Sequence, residues 1–382
     1  MKSVRIFASI IALAACGDNK NKSTPDAPGS NAPPADAQTT PRVIVVAPSA
    51  DFKTPPGILS ELDLASQHVT ENLAAGEVGA DPFLRRYGDF LYVINRDAGD
   101  NVTILDANTL AFVTQIATGT SSNPQDVAVV GDKLYVPVLG GSGVVVLSQS
   151  AGTMTSTIDL NAATGETDGI PDCVSAYTVG TDVYVACDVY DETTFVNESN
   201  GKIAVIDSTT DTVRTTISLD VENPQNEFEP LPDGDLLIAA EPLDSGSDRM
   251  TGCVARITPG ATPTQKCQLT NIDLGGLVNA MAVTPGADPV LYLSVSAFDF
   301  STSSLSTWDV GSGALANNVS PASEAITDVT TCPDGSVIVG DQTMAAPGLR
   351  IYKGTTEVTT AALPFGLAPG DGDGMACYVP GM

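Results

Sequence analysis

Short runs of β-branched and aromatic residues recur along this chain at a period of about 48 residues. Three clear examples lie at residues 88–95, 131–137 and 180–186, where a Gly-containing turn precedes a Tyr flanked by aliphatic residues. Gly, Asp, Asn and Pro separate these runs, which is typical of strands joined by turns. Four strands per unit at this period predict the blades of a β-propeller.

Most repeat units begin just after an Asp or Asn. The residues that share this position are Asp126, Asp172, Asn226, Asn279 and Asp328, with a looser match at Asp373. The first four intervals between them are 46, 54, 53 and 49 residues. This regular spacing supports one repeated structure rather than two or three unrelated domains.

Counting the units indicates a closed ring. Six complete blades are predicted at residues 82–117, 124–160, 172–219, 226–269, 277–317 and 325–361. Strands at 43–46, 58–64 and 68–73, joined by a last strand at 375–379, supply a seventh blade made from both chain ends. We therefore expect an all-β, seven-bladed β-propeller of four-stranded blades over residues 43–382, because such closure removes exposed sheet edges. A six-bladed ring with flanking extensions is the alternative.

Residues 91–95 (Leu-Tyr-Val-Ile-Asn) and 101–106 (Asn-Val-Thr-Ile-Leu-Asp) resemble the YVTN-type repeat of YncE-like seven-bladed propellers. Residues 202–217 are similar to the second half of that repeat. The resemblance is strong over the first three blades and weak over the next three. It implies the fold, but members include binding proteins, cell-surface proteins and enzyme subunits, so it implies no single activity.

The N-terminus is predicted to be a targeting signal. Lys2 and Arg5 precede a short apolar stretch, and residues 13–16 (Leu-Ala-Ala-Cys) resemble the bacterial lipobox. We expect a signal peptide at 1–15, lipidation of Cys16, and a Pro- and Ala-rich disordered tether over 16–42. An ordinary secretory signal with an incidental Cys is the alternative. By resemblance to bacterial sorting signals, Gly17 favours the outer membrane, so the predicted location is the cell envelope, with the membrane reached through Cys16.

Six further cysteines suit an exported, disulfide-bonded protein. Cys173 and Cys187 are 14 residues apart, as are Cys253 and Cys267, and a turn sequence lies midway between the members of each pair. Residues symmetric about a hairpin turn face each other across the two strands, so we expect both pairs to be bridged. This leaves Cys332 to pair with Cys377, a bridge that would join blade six to the composite blade.

The net charge of −29, from 17 Lys and Arg against 46 Asp and Glu, excludes nucleic acid as a partner, since proteins that bind nucleic acid need clustered cations.

The chain has one histidine, His68, which excludes metal sites built from several histidines. His68 is predicted to be a surface residue. We expect a monomer. No second apolar run approaches the length of a membrane span, so anchorage depends on Cys16.

Long loops are predicted on one face of the ring. They are residues 188–201, 240–251 and 295–304, with the between-blade segments 160–171 and 362–373. These loops contain many Asp and Glu residues, so this face suits a cation, a basic protein or a polysaccharide. The alternative is that the acids only keep the loops soluble.

The recurring Asp and Asn residues also suggest a cation site. Asp126, Asp172, Asn226, Asn279, Asp328 and Asp373 are expected near the mouth of the central channel, and their oxygens suit Ca²⁺. The alternative is structural, because Asp and Asn side chains commonly accept hydrogen bonds from nearby backbone N–H groups.

These features predict a lipoprotein whose propeller is a binding module rather than an enzyme. No catalytic residues are assigned. The alternative is a metal-dependent propeller hydrolase or lactonase that uses channel carboxylates, which requires a divalent ion and an Asp or Glu as general base. Metal content, and ester and lactone hydrolysis with and without EDTA, distinguish the two.

Overall fold

Antiparallel strands in groups of four make up nearly all regular structure of the chain. The computed structural model describes residues 40–381 apart from 75, 192, 195, 243–248, 321–324 and 371. These residues belong to one structural unit, Ala37–Met382. The predicted signal peptide, Cys16 and most of the tether lie outside the described residues.

The strands follow the predicted repeat. The first three are β1 (Arg42–Ala47), β2 (Ile58–Asp63) and β3 (His68–Thr70). Blades 1 and 2 contain β4 (Pro82–Tyr87), β5 (Phe90–Asn95), β6 (Asn101–Asp106), β7 (Phe112–Ala117), β8 (Ala128–Val130), β9 (Lys133–Pro137), β10 (Gly143–Ser148) and β11 (Thr153–Asp159). Blade 3 contains β12 (Cys173–Val179) and β13 (Asp182–Cys187), a small hairpin of β14 (Tyr190–Asp191) and β15 (Val196–Asn197), then β16 (Lys202–Asp207) and β17 (Thr212–Ser218).

The remaining blades repeat this order. Blades 4 to 6 contain β18 (Pro224–Pro230), β19 (Leu236–Ala240), β20 (Cys253–Thr258), β21 (Thr264–Thr270), β22 (Leu277–Val283), β23 (Val290–Ser296), β24 (Ser303–Asp309), β25 (Leu315–Ala316), β26 (Ile326–Thr331), β27 (Ser336–Asp341), β28 (Gly348–Lys353) and β29 (Thr356–Glu357). The last strand is β30 (Met375–Tyr378). Single helical turns at α1 (Asn161–Thr164) and α2 (Asn271–Leu274), with 3₁₀ turns at Asp97–Gly99 and Arg249–Thr251, lie in the connections.

The two chain ends close the ring in one shared blade, as the sequence predicts. Its strand order is β3-β2-β1-β30, and we call it the closing blade. In its antiparallel register Val43 pairs with Cys377 and Val45 pairs with Met375. Six complete blades and the closing blade therefore form a seven-bladed β-propeller.

The repeated Tyr of the sequence motif packs between blades. Tyr92, Tyr135 and Tyr184 each lie on the second strand of their blade and are almost fully buried. Tyr92 packs against residues of blade 2, and Tyr184 packs against residues of blade 4. The repeat is therefore explained by burial of a large side chain at each blade interface.

All three predicted disulfides form. Cys173–Cys187 joins β12 to β13, Cys253–Cys267 joins β20 to β21, and Cys332–Cys377 joins blade 6 to the closing blade. Cys173 and Cys187 are direct partners in the ladder, as expected. The second pair is not directly opposed: a register shift in blade 4 leaves Cys267 paired with Ala255, so this bridge runs diagonally.

The topology sends the two kinds of connection to opposite faces. Turns between the first and second strands of each blade lie on one face, and the β13–β16 loop and the between-blade segments lie on the other, which we call the loop face. His68 is exposed on its strand, as predicted. In the part of the chain that the structure describes, no helix has the length and apolar character needed to cross a bilayer.

Candidate functional site

The predicted ring of Asp and Asn residues joins neighbouring blades. Asp126 accepts hydrogen bonds from the N–H of Val127 at 2.7 Å and from the N–H of Ala176, in blade 3, at 2.9 Å. Asp328 repeats the arrangement in blade 6, accepting from the next residue at 2.7 Å and from Gly374 of the closing segment at 3.0 Å. Both carboxylates therefore link their own inner strand to that of the next blade.

The two asparagines make weaker versions of the same link. The Asn279 amide donates to Ser296 Oγ at 2.8 Å and, at 3.5 Å, to the carbonyl of Ile326 in blade 6. The Asn226 amide donates to the carbonyl of Val278 in blade 5 at 3.4 Å. An amide replaces a carboxylate here because the partner is a carbonyl, which requires a donor.

Asp373 and Asp172 differ from the other four. Asp373 lies at the channel mouth and faces Arg85 at 3.4 Å. Asp172 instead accepts from the N–H of Tyr190 at 3.1 Å and lines a separate cavity on the loop face. The structure thus brings five of the six predicted residues to the channel and places Asp172 elsewhere.

Arg85 is the cation around which the channel carboxylates gather. Its Nε lies 2.7 Å from Asp126, and its two Nη atoms lie 3.2 Å from Glu227 and 3.4 Å from Asp373. Only 8% of Arg85 is exposed. Sequence reasoning missed this residue, although an Arg pair in an inner strand of so acidic a chain was a usable signal. The guanidinium contacts two of the carboxylates, Asp126 and Asp373, that the sequence suggested as metal ligands.

Two cavities lie along the channel near the Arg85 cluster. The one at the loop face has a volume of about 520 Å³ and is lined by Asn226, Asn279 and Asp373. The one toward the opposite face has a volume of about 410 Å³ and is lined by Arg85, Asp126 and Glu227.

The channel acids outnumber their cation, and their pKa values reflect this. Burial, followed by the charge of Asp373, raises the pKa of Asp328 to about 7. Burial raises the pKa of Glu229 to about 8, against a bond from a backbone N–H of blade 5. Burial also raises the pKa of Asp126 and of Glu227, although the Arg85 charge opposes both shifts.

The arrangement favours the structural interpretation of the ring over calcium binding. Among the described residues, no group of three or more His, Cys, Asp or Glu side chains is placed to hold a metal ion. Asp126 already accepts from backbone N–H groups and from Arg85. Calcium binding by this ring stays a prediction, and the melting temperature of the protein with and without millimolar Ca²⁺ tests it.

A large opening on the loop face lies over blades 1 to 3, and we call it the loop-face cavity. Its volume is about 1010 Å³. The residues that line it are Asp97, Asp100, Ser121, Asn123, Leu139, Gly140, Asp168, Ile170, Asp172, Asp188, Tyr190, Thr193 and Asn223. All come from connections of these blades, so a rigid scaffold holds a cavity built from loops. Gly140 is required at its base, because a Cβ there would overlap the carbonyl oxygen of Ser121.

Asp188 is the distinctive residue of this cavity. Its Oδ1 is buried and has no hydrogen-bond partner among the described residues. Burial raises the pKa of Asp188 well above its usual range, and no compensating hydrogen bond opposes the shift. Asp188 also lines the channel mouth, so this carboxyl lies between the two cavities.

The blade 3 disulfide fixes the position of Asp188. Cys187 immediately precedes it, and Cys173 immediately follows Asp172. The Asp188 N–H donates to the Asp172 carbonyl at 3.0 Å, which continues the pairing beyond the bridge. The next residue, Val189, is fully buried with φ of +56°, which is a costly conformation for a β-branched residue. The chain therefore turns sharply here and holds the carboxyl in place.

The opposite face has a groove of about 900 Å³ between blades 1 and 2. Its aromatic wall includes Tyr87, Phe90 and Tyr92. Two polar pairs there are satisfied internally: Tyr92 donates to Gln149 at 2.8 Å, and Asp132 accepts from Ser148 at 2.6 Å. Asp89 also lines this groove, but among the described residues that line it no buried side-chain oxygen or nitrogen lacks a hydrogen-bond partner.

Comparisons with known proteins support the fold. No family model matches the chain, and no curated protein matches it by sequence. Among solved structures, the chain is similar to the dihydro-heme d1 dehydrogenase NirN in complex with DHE, with a TM-score of 0.53, 14% identity, and coverage of 89% of this chain and 75% of that one.

Two other solved structures are similar at the same level. AztD from Citrobacter koseri has a TM-score of 0.51 and 12% identity, with 88% of this chain and 98% of that chain covered. Kuenenia stuttgartiensis hydrazine synthase has a TM-score of 0.51 and 18% identity, with 73% and 79% covered. Identities this low establish a shared architecture alone, so the chain is a seven-bladed β-propeller module whose activity has to be argued from its own residues.

Proposed function

We propose that this protein is a lipid-anchored binding module of the bacterial cell envelope that holds its ligand in the loop-face cavity. The observation that carries the proposal is the cavity itself: about 1010 Å³, formed by loops of three blades and bordered by Asp188, whose buried Oδ1 has no partner among the described residues. A volume of this size accommodates a small molecule or an exposed group of a larger partner.

The loop-face cavity is a better candidate than the channel. The channel carboxylates Asp126 and Asp373 contact Arg85, and Asp126 also joins two blades. A ligand there would have to displace interactions that hold the ring together. In the loop-face cavity, the Asp188 carboxyl is available without breaking a described contact.

The anchoring part of the proposal rests on the N-terminal sequence. Lipid on Cys16 and a tether up to residue 42 would keep the propeller at a membrane surface, with the outer membrane as the proposed location. Cys16→Ser would release the protein into the soluble envelope fraction. Recovery of that variant with the membranes, together with an unmodified N-terminal peptide in the wild type, would contradict lipid anchoring.

A cavity-blocking variant tests the binding function without knowledge of the ligand. Thr193 is exposed on the wall of the cavity, so Thr193→Trp narrows it without disturbing the core. The neighbouring Thr194 is also exposed but does not line the cavity, which makes Thr194→Trp a matched control. A ligand that binds the folded state raises the melting temperature.

The screen uses sugars, amino acids, amines, nucleotides and divalent ions. We expect at least one class to raise the melting temperature of the wild type and of Thr194→Trp but not of Thr193→Trp. If every stabilising compound acts equally on all three proteins, the cavity is not the binding site. Ester or lactone hydrolysis that disappears with EDTA and in Asp126→Ala would instead indicate metal-dependent catalysis.

A further inference from the structure

The loop-face cavity combines strong negative charge with apolar surface. Five of its lining residues are aspartates: Asp97, Asp100, Asp168, Asp172 and Asp188. Among the described residues that line it there is no Lys or Arg. In a chain with a net charge of −29, the electrostatic potential of this cavity favours a cation over an anion.

We propose that the loop-face cavity binds an organic cation, an alkylammonium or guanidinium group on an apolar stem, with Asp188 as the carboxylate that receives the charged head. This inference rests on the proposed binding function and names the chemical class of the ligand. The shared chemistry is found in free amines and in the basic side chains of a peptide.

The apolar lining distinguishes an organic cation from a metal ion. Leu139, Ile170 and Tyr190 line the same cavity and offer surface for methylene groups. Asp168 accepts from the Ile170 N–H at 2.9 Å, so part of its capacity as a ligand is already used. Ca²⁺ requires six to eight oxygen ligands. An ammonium group requires only a few acceptors and gains from the apolar wall.

The other aspartates shape the cavity, whereas Asp188 is free to bind. Asp100 accepts from the N–H of Ser121 at 2.6 Å and of Asn123 at 3.0 Å, which fixes the segment between blades 1 and 2. Asp172 accepts from Tyr190, which fixes the loop of blade 3. For Asp188, the buried Oδ1 receives no hydrogen bond from the described residues.

An unpartnered buried carboxyl lowers the stability of the empty protein, since its lost hydration is not replaced. A residue kept for the fold alone would do better as Asn or as an apolar side chain. A cation bound beside Asp188 offsets the negative charge of the carboxylate and recovers part of the desolvation penalty. Stability and binding should therefore respond to Asp188 in opposite directions.

The test measures binding of matched probes by titration calorimetry on the folded propeller. The probes are n-pentylamine and agmatine, with n-pentanol as the neutral analogue of similar size. The variant is Asp188→Asn, which keeps the shape and removes the ionisable carboxyl. The control is Asp89→Asn, which removes a carboxylate from the groove on the opposite face.

We expect both cations to bind the wild type at least about tenfold more tightly than n-pentanol, and Asp188→Asn to lose about tenfold in affinity. Asp89→Asn should stay within about twofold of the wild type. Equal binding of pentylamine and pentanol would overturn the proposal, and so would unchanged binding to Asp188→Asn. If a sugar or nucleotide binds the wild type but not Thr193→Trp, and no amine binds, the proposed ligand class is wrong while the proposed binding function stays intact.

Two further arms identify the source of the cation and exclude a metal. A short peptide with one central Lys, compared with the same peptide containing norleucine, reports recognition of a basic side chain. Tighter binding of the Lys peptide than of pentylamine indicates a protein partner, and the reverse indicates a free amine. Binding of CaCl₂ alone that Asp188→Asn abolishes, with no binding of either amine, would contradict the proposal.

Discussion

The central channel and the loop-face cavity both contain buried aspartate oxygens, but these oxygens have partners in the channel and lack a described partner at Asp188 in the cavity. In the channel, Asp126 and Asp373 contact the buried Arg85 guanidinium. In the loop-face cavity, the buried oxygen of Asp188 receives no bond from any described residue. Acidic residues that look alike in the sequence therefore divide into a set that stabilises the ring and one that is available to a ligand.

The difference follows from where each carboxylate lies along the chain. Channel carboxylates lie at the start of inner strands, within reach of the next blade's backbone, so they accept hydrogen bonds from the neighbouring blade. Asp188 lies just past the end of a second strand, directly after the disulfide. It lines the loop-face cavity, and no described residue of a neighbouring blade donates a hydrogen bond to its buried oxygen.

Removal of Arg85 should have the largest effect on stability. Arg85→Met leaves Asp126, Glu227 and Asp373 without their cation, and we expect a loss of about 3–5 kcal/mol in the free energy of unfolding. Urea denaturation at neutral pH measures it. Lys353→Met, which removes an exposed pair with Asp334, should cost less than about 1 kcal/mol. Equal losses in the two variants would show that the channel cluster has no special role.

The disulfides should separate stability from binding. Replacing Cys332 and Cys377 by Ser removes the bridge between blade 6 and the closing blade. The 45-residue separation of these cysteines corresponds to a loss of about 4 kcal/mol in the free energy of unfolding. Replacing Cys173 and Cys187, 14 residues apart, should cost about 3 kcal/mol and also weaken amine binding, because that bridge positions Asp188. Denaturation and calorimetry on both variants test this. Loss of binding in the first variant but not in the second would reverse the assignment.

The channel acids should make the protein more stable in mild acid. The pKa of Glu229 is raised to about 8 and that of Asp328 to about 7, so both bind protons more tightly in the folded chain than in the unfolded one. Their contribution is complete below their unfolded pKa values and is lost as the pH rises through 7 and 8. We therefore expect the melting temperature to rise as the pH falls from about 8 to about 5.

A neutral replacement tests the origin of that trend. Glu229→Gln keeps an acceptor for the Val283 N–H while removing the titrating group, so the curve between about pH 5 and 8 should flatten. Surface aspartates such as Asp63 and Asp106 have lowered pKa values, since backbone N–H groups donate to them. Their contribution to stability is therefore lost as the pH falls through their folded pKa values. An unchanged slope in Glu229→Gln would show that other groups control the trend.

The fold could be predicted from the sequence because each repeat contributes the same physical signal. The strand spacing recurs until the ring closes, the buried Tyr and the Gly-containing turn mark the first three blades, and the cysteine spacing then selects the disulfides. Only the diagonal placement of Cys253 and Cys267 differed from expectation, since it depends on a register shift that no spacing reveals.

The site could be predicted only in part. The sequence places residue 188 at the start of a long acidic loop, but it groups Asp172 with the channel residues on spacing alone, whereas Asp172 lines the loop-face cavity. Its contact with the N–H of Tyr190 places it in another environment. Arg85 was missed because its role depends on carboxylates of blade 2, of blade 4 and of the segment before β30 reaching one inner strand of blade 1, and local sequence does not encode that meeting.

The comparison between the two sites is tested most directly by the free energy of unfolding of Asp188→Asn and Asp126→Asn, measured side by side without ligand near pH 7. Asp126→Asn should lower it by about 1–3 kcal/mol, because the Arg85 pair and one of the bonds to blade 3 are weakened. Asp188→Asn should leave it unchanged or raise it by up to about 1 kcal/mol, because an unpartnered carboxyl is removed. A loss in Asp188→Asn comparable to that in Asp126→Asn would contradict the account, since it would show that Asp188 also serves the fold.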